Sequence, residues 1–181
     1  TVESPNPENP EGFYLAVDLA KKVDSDLIIG TDPDADRIGT MVRTGDTYTT
    51  ITGNQMGVLL LDYVIKAKKA TGTLPENPGA MSSIVSTGMA RVVAEKNGVH
   101  FEDTLTGFKF MAERIASWEA ANSYKCIFAF EESYGYLMGD YVRDKDAVTA
   151  SMVVAEMAAH YHKKGMTLMD AMNALYEEYG C

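Results

Sequence analysis

Cysteine is scarce in this chain, with only Cys126 and Cys181 among 181 residues. Two such thiols make no disulfide framework and show no metal-ligand spacing, which points to a reducing, cytoplasmic setting. Long apolar runs are also missing. The longest, Met56 to Ile65, is broken by Asp62 and falls well short of the roughly 20 residues that cross a bilayer. Basic charge is in deficit: 16 Lys and Arg against 26 Asp and Glu leave a formal charge of −10, so neither nucleic acid nor an anionic membrane is expected as a partner. Repeats and low-complexity tracts are absent as well. What remains, 46% hydrophobic and 23% charged, is the composition of a globular protein, and disorder is excluded.

Three prolines in the first ten residues force an extended or turn-like start. Phe13, Ala16, Val17 and Ala20 then mark one face of a helix. Asp26 to Gly30 reads as a short buried strand, and Ile38 to Arg43 with Tyr48 to Thr52 as a hairpin around Thr44 to Thr47. A helix apolar on more than one side runs from Gly53 to about Lys69. Strands at Met81 to Ser86, Val99 to Glu102 and Cys126 to Phe130 alternate with helices at Met89 to Asn97 and Phe108 to Glu119. That alternation indicates α/β architecture with a sheet covered on both faces. Two helices close the chain. Val148, Met152, Ala155 and Ala159 line one; Leu168, Ala171, Met172, Leu175 and Tyr179 line the other, which Thr167 and Asp170 open as a capping box. His100, His160 and His162 lack telling neighbours and read as surface or cap residues, while Trp118 and the methionines read as core.

The most informative segment is Asp32-Pro33-Asp34-Ala35-Asp36-Arg37, at the end of the first strand. Carboxylates at alternate positions of an extended chain share one side, and a modest bend makes them converge. Crowded carboxylates need a cation, and three oxygen ligands with open positions suit Mg²⁺. An EF-hand loop is excluded, because its glycine position holds Arg37 and its closing glutamate position holds Arg43.

Three further loops carry polar chemistry. Thr106 and Gly107 lead from a strand into a helix, where free N–H groups and Lys109 make a site for an anion or a sugar hydroxyl. Glu131 and Glu132 end a strand and point opposite ways, so at most one faces a given site and Glu132 is the one more readily solvated. Arg143-Asp144-Lys145-Asp146 opens a helix, with Asp146 as a natural cap.

In this order, Asp-Pro-Asp-Ala-Asp-Arg, Thr-Gly-Phe-Lys, Glu-Glu-Ser-Tyr-Gly and Arg-Asp-Lys-Asp resemble the loops of the α-D-phosphohexomutases, the phosphoglucomutase and phosphomannomutase superfamily. The resemblance implies a three-layer α/β/α fold with a mixed sheet, of the family's third-domain type, over residues 53–181. Residues 1–52 would form the C-terminal part of a similar preceding domain, with the metal loop. It implies Mg²⁺ on Asp32, Asp34 and Asp36, and Arg37 beside the transferring phosphoryl group. Thr106, Gly107 and Lys109 would contact the sugar, Glu131 and Ser133 would bond its hydroxyls, and Lys145, more than Arg143, would act as an acid/base or electrostatic group.

The expected ligands are hexose phosphates and a hexose bisphosphate, and the expected partners are further domains of the same chain. No match to the family's serine loop or phosphate-clamp domain is present, so the chain is expected to be an inactive piece of a longer enzyme. Pro5-Asn6-Pro7-Glu8 matches a stretch the family carries between its serine and metal loops. Glu-Glu-Ser-Tyr-Gly lacks the histidine usual in phosphomannomutases and tilts the substrate toward glucose, with mannose and pentose phosphates as alternatives. A non-catalytic divalent-metal module and a sugar phosphatase are the competing classes.

Overall fold

Alternating side chains split the first sheet between two cores. In the computed structural model, which describes residues 4–180, strands β1 (Leu27–Thr31), β2 (Ile38–Thr44) and β3 (Thr47–Ile51) form an antiparallel sheet in that order. Ile28, Met41 and Tyr48 pack with Phe13 and Ala20, from the 3-10 turn Pro10–Phe13 and helix α1 (Tyr14–Val23). Ile38, Val42 and Ile51 face the opposite way, into the main core, as the period of two requires. Gly30 and Gly39 lie opposite each other across β1 and β2. A Cβ on either would strike the Phe13 ring, so the glycine pair is what lets that ring pack on the sheet.

The chain enters α2 (Gly53–Ala70) directly from β3. Thr52 and Gln55 start the helix as a capping box. As its pattern predicts, α2 is buried around most of its circumference, including Met56, Leu59, Leu60 and Ile65. Asp62, buried in the same run, pairs with Lys66 at 2.9 Å and accepts the Tyr179 hydroxyl at 3.1 Å. Beyond α2 follow β4 (Pro78–Ser83), α3 (Met89–Lys96), β5 (His100–Thr104), α4 (Phe108–Ala121), β6 (Lys125–Glu131), β7 (Gly135–Leu137), α5 (Ala147–His162) and α6 (Leu168–Tyr179).

The second sheet has the order β5-β4-β6-β7, parallel except for the edge strand β7. Met81, Cys126 and Ala129 meet α4 on one face, while Ala80, Phe128 and Phe130 meet the core built on α2 on the other. The expected mixed-sheet, three-layer α/β/α arrangement is therefore present.

Several expectations change in detail. β4 lies upstream of the expected Met81 to Ser86, because Pro78, Gly79 and Ala80 are buried ladder residues despite the loop-like composition around them. On α5 the expected face is the wrong one: Val148, Met152, Ala155 and Ala159 are exposed. Ala147, Ala150, Val154 and Met157 form the buried face. The helix is apolar on both sides, each face carrying alanines, a valine and a methionine, so composition alone does not choose between them. His100 is no plain surface residue either, since it stacks on Tyr124 at 3.9 Å and meets Glu102 at 2.8 Å. The start of the extended segment, residues 1–3, and the second cysteine, Cys181, lie outside the described residues.

Candidate functional site

Adjacent antiparallel strands demand a reversal, and that reversal builds the carboxylate cluster. Between β1 and β2, Ala35 N donates to the Asp32 carbonyl at 3.1 Å, Asp32 N to the Arg37 carbonyl at 3.3 Å, and Ala35 adopts φ 56°. The expected extended chain with a modest bend is thus replaced by a closed turn. Within it, carboxylate oxygens of Asp32, Asp34 and Asp36 lie within 4.8 Å of one another. Asp32 is buried and its oxygens are occupied: Oδ1 accepts the Asp36 and Arg37 amides at 3.1 and 3.0 Å, and Oδ2 accepts Arg37 Nε at 2.8 Å. Asp36 Oδ2 receives Lys145 Nζ at 2.7 Å. Asp34 is exposed and makes no hydrogen bond or ion pair among the described residues.

The two inner carboxylates respond oppositely to their surroundings. Burial alone would raise Asp32, but the Arg37 amide and guanidinium and the neighbouring Asp36 outweigh it and hold the group down at about 2. Asp36 is pushed up, first by burial and then by Asp32, with Lys145 opposing. Two carboxylates sharing a small space split in this way.

The donor set fits a hard divalent ion. Two oxygens on one Mg²⁺ lie no more than about 4.2 Å apart given its metal–oxygen distance, so the cluster needs only a slight contraction. All three donors are carboxylate oxygens, as Mg²⁺ prefers. Protein hydrogen bonds hold Asp32 on both oxygens, leaving Asp34 and Asp36 as the adjustable members.

The loop is braced from the second sheet. Ile38 N donates to the Tyr134 carbonyl at 3.1 Å, Ala147 N to the Ala35 carbonyl at 3.0 Å, and Arg37 bridges to Gly135. Gly135 in turn pairs with Glu131 across the β6–β7 turn, in which Tyr134 takes the left-handed φ of 69°. A Cβ on Gly135 would run into the stem of Lys145, whose Nζ lies 5.6 Å from the Phe108 ring centre. The buried Glu131 accepts the Gly107 amide at 2.6 Å, at the start of α4, where a helix leaves N–H groups free.

Most of the sequence-predicted residues thus meet in one region. Asp32, Asp34, Asp36, Arg37 and Lys145 form its charged half, and Gly107 with Glu131 its polar half. Ser133 lies half-buried in the same turn, while Thr106 and Lys109 flank Gly107 on exposed positions. Arg143 instead reaches Glu119 on α4 at 2.6 Å and makes no contact with the carboxylates. Three contributors escaped the sequence reading. Glu132 is not merely solvated, because it accepts Ser83 at 2.6 Å and Ser86 at 3.1 Å. Gly135 provides room for Lys145, and Glu8 pairs with Arg37 at 3.2 Å. The glycine between two tyrosines was the available signal for the second, and the Pro5-Asn6-Pro7-Glu8 stretch marked the segment of Glu8 without its partner; no local pattern announces the Glu132 contacts.

Residues 52–179 match the family described as phosphoglucomutase/phosphomannomutase, alpha/beta/alpha domain III, and residues 1–45 match its domain II. The phosphoglucomutase of Staphylococcus aureus (strain USA300) is 41% identical over 181 residues, covering 99% of this chain and 32% of that protein. The chain therefore spans about a third of the length of the curated relatives it matches. A Thermus thermophilus structure, provisionally named a phosphomannomutase, superposes with a TM-score of 0.75 at 20% identity over 98% of this chain and 36% of its own. An Aspergillus fumigatus N-acetylphosphoglucosamine mutase, solved with GlcNAc-6P and magnesium, superposes with a TM-score of 0.61 at 16% identity over 92% of this chain and 41% of its own. On the family match and its agreement with the fold, this chain belongs to the phosphoglucomutase/phosphomannomutase family.

Proposed function

We propose that the chain is the metal-binding and sugar-binding portion of a phosphoglucomutase. That enzyme would interconvert glucose 1-phosphate and glucose 6-phosphate through a phosphoserine and a hexose bisphosphate, with the serine supplied by another part of the polypeptide. Residues 1–52 would complete a second domain and residues 53–181 form a third, in a cytoplasmic protein that binds neither nucleic acid nor membrane. The observation that carries this reading is the convergence of the Asp32, Asp34 and Asp36 turn with Lys145 and the Glu131 turn across two sheets.

Asp32, Asp34 and Asp36 would hold Mg²⁺, which supplies Lewis-acid stabilisation of charge on phosphoryl oxygens. Arg37 adds a guanidinium that stays charged at every working pH and matches phosphate geometry. Burial lowers the Lys145 ammonium, but Asp36 and Asp144 outweigh it and keep the group protonated. Lys145 therefore brings positive charge, and a proton on Nζ, to the edge of the metal cluster. Gly107 N–H and the Glu131 carboxylate currently satisfy each other at 2.6 Å; a sugar hydroxyl can replace either partner. Thr106, Lys109 and Ser133 border this pair, and Arg143 lies further out as a contact for a larger ligand.

The test is a substrate panel on the complete polypeptide with Mg²⁺. Glucose 1-phosphate is expected to exceed mannose 1-phosphate and ribose 1-phosphate in kcat/KM, and residues 1–181 alone are expected to turn over none of them. A marked preference for mannose or pentose phosphate would replace the glucose assignment, and hydrolysis to free sugar by the chain alone would replace mutase by phosphatase.

A further inference from the structure

Pro5-Asn6-Pro7-Glu8 takes no part in the reading above, yet the segment ends on the guanidinium of Arg37. Glu8 Oε1 lies 3.2 Å from Arg37 Nη1. The backbone that carries Glu8 is held in place on both sides. Pro7 is buried, and a Cβ on Gly39 would collide with its carbonyl oxygen, so Pro7 rests directly on β2 where only glycine leaves room. Asn6 ties off the turn: its side chain accepts Glu8 N at 3.0 Å and its carbonyl accepts Asn9 N at 3.0 Å. Downstream, the Phe13 ring packs on the Gly30 and Gly39 pair. The prolines restrict their own φ and the residues before them, so little freedom remains between these anchors.

Arg37 has a planar fork of N–H donors. Its Nε is committed to Asp32 Oδ2 at 2.8 Å, and Nη1 meets Glu8. A guanidinium held at Nε alone can pivot about that bond. Held at Nη1 as well, it keeps one orientation, and its remaining N–H groups stay aimed without reorganisation during reaction. The side chains of Arg37 and Glu8 are 28% and 38% exposed, and ion pairs at such positions add little to folding stability. Their effect falls on where the guanidinium sits.

We propose that Glu8 is a positioning residue: carried on the Pro5-Asn6-Pro7 segment, its carboxylate sets the orientation in which Arg37 meets the phosphoryl group of a sugar phosphate. This rests on the mutase reading given above.

The test compares wild type, Glu8→Gln, Arg37→Lys and the double variant in the complete polypeptide. Glu8→Gln is expected to lower kcat about 10-fold with KM within about twofold, at an unchanged thermal midpoint. In the Arg37→Lys background the same change is expected to have almost no further effect, because the oriented fork is already gone. A wild-type kcat in Glu8→Gln, or an equal loss in both backgrounds, overturns the proposal. A readout independent of turnover is the exchange of the Arg37 guanidinium protons with water, followed by NMR. Glu8→Gln is expected to speed exchange at Nη while Nε–H, held by Asp32, stays slow. Unchanged Nη exchange also overturns the proposal, even if no sugar phosphate proves to be a substrate. Inactivity of the wild type would count against the mutase reading alone.

Discussion

Lys145 Nζ sits 2.7 Å from Asp36 Oδ2, so a side chain from the loop leading into α5 supplies a cation to a turn that belongs to the first sheet. On the proposed assignment of Asp36 as a Mg²⁺ ligand, this ion pair would compete with the ion for that carboxylate. Lys145→Met is therefore expected to tighten Mg²⁺ binding. Turnover of the complete enzyme is expected to fall about 100-fold, as for loss of a positioned charged group. Isothermal titration with Mg²⁺ and steady-state kinetics read the two effects. Weaker metal binding in the variant would show that Lys145 supports the site rather than competing for it.

Gly135 touches three parts of the site through its backbone or its missing side chain: Arg37, Glu131 and the Lys145 stem. Gly135→Ala is expected to displace Lys145 and lower kcat about 10-fold or more. Overpacking adds a stability cost of about 1 to 3 kcal/mol. Coupling to Lys145 is the specific signature. In a Lys145→Met background the kcat penalty of Gly135→Ala should largely vanish, whereas a penalty of equal size would place the effect elsewhere.

Away from the site, Glu102 joins three partners. It accepts Arg114 Nη2 at 2.8 Å, Trp118 Nε1 at 3.1 Å and faces His100 Nε2 at 2.8 Å. The Arg114 guanidinium is the main cause that lowers its carboxyl from the ordinary 4.5 to about 2. Folding thus favours the ionised form, and the stabilisation is complete above the unfolded value and disappears as pH falls through the folded one. Glu102→Gln is expected to lower the thermal midpoint at pH 7, with the gap to wild type closing between about pH 5 and about pH 2. A gap that stays constant with pH would mean that the carboxylate charge contributes nothing there.

Much of the architecture was legible because single residues enforced it. The turn at Thr44 to Thr47 placed the hairpin of the first sheet, Thr167 and Asp170 announced α6, and the burial of α2 on most sides followed from an apolar run interrupted by Asp62. What could not be read was orientation where two faces were equally apolar, as on α5, and contacts made by distant partners. The convergence of Asp32, Asp34 and Asp36 depends on Ala35 entering left-handed φ, a conformation alanine does not advertise. The Glu8 to Arg37 and Glu132 to Ser83 pairs join segments far apart in the chain. Local pattern carries no information about such pairs until the sheets are assembled.

Asp34 gives the most direct test of the metal-dependent mutase reading, because it is exposed and has no polar partner among the described residues. Its replacement by Asn leaves the turn's hydrogen bonds intact and removes one carboxylate charge from the cluster. Conversion of glucose 1-phosphate to glucose 6-phosphate should be measured in the complete polypeptide, wild type against Asp34→Asn, at saturating Mg²⁺ and with the thermal midpoint recorded. The expected result is a loss of at least about 100-fold in kcat/KM at an unchanged midpoint; turnover within a few-fold of wild type would contradict the assignment of this cluster as the catalytic metal site.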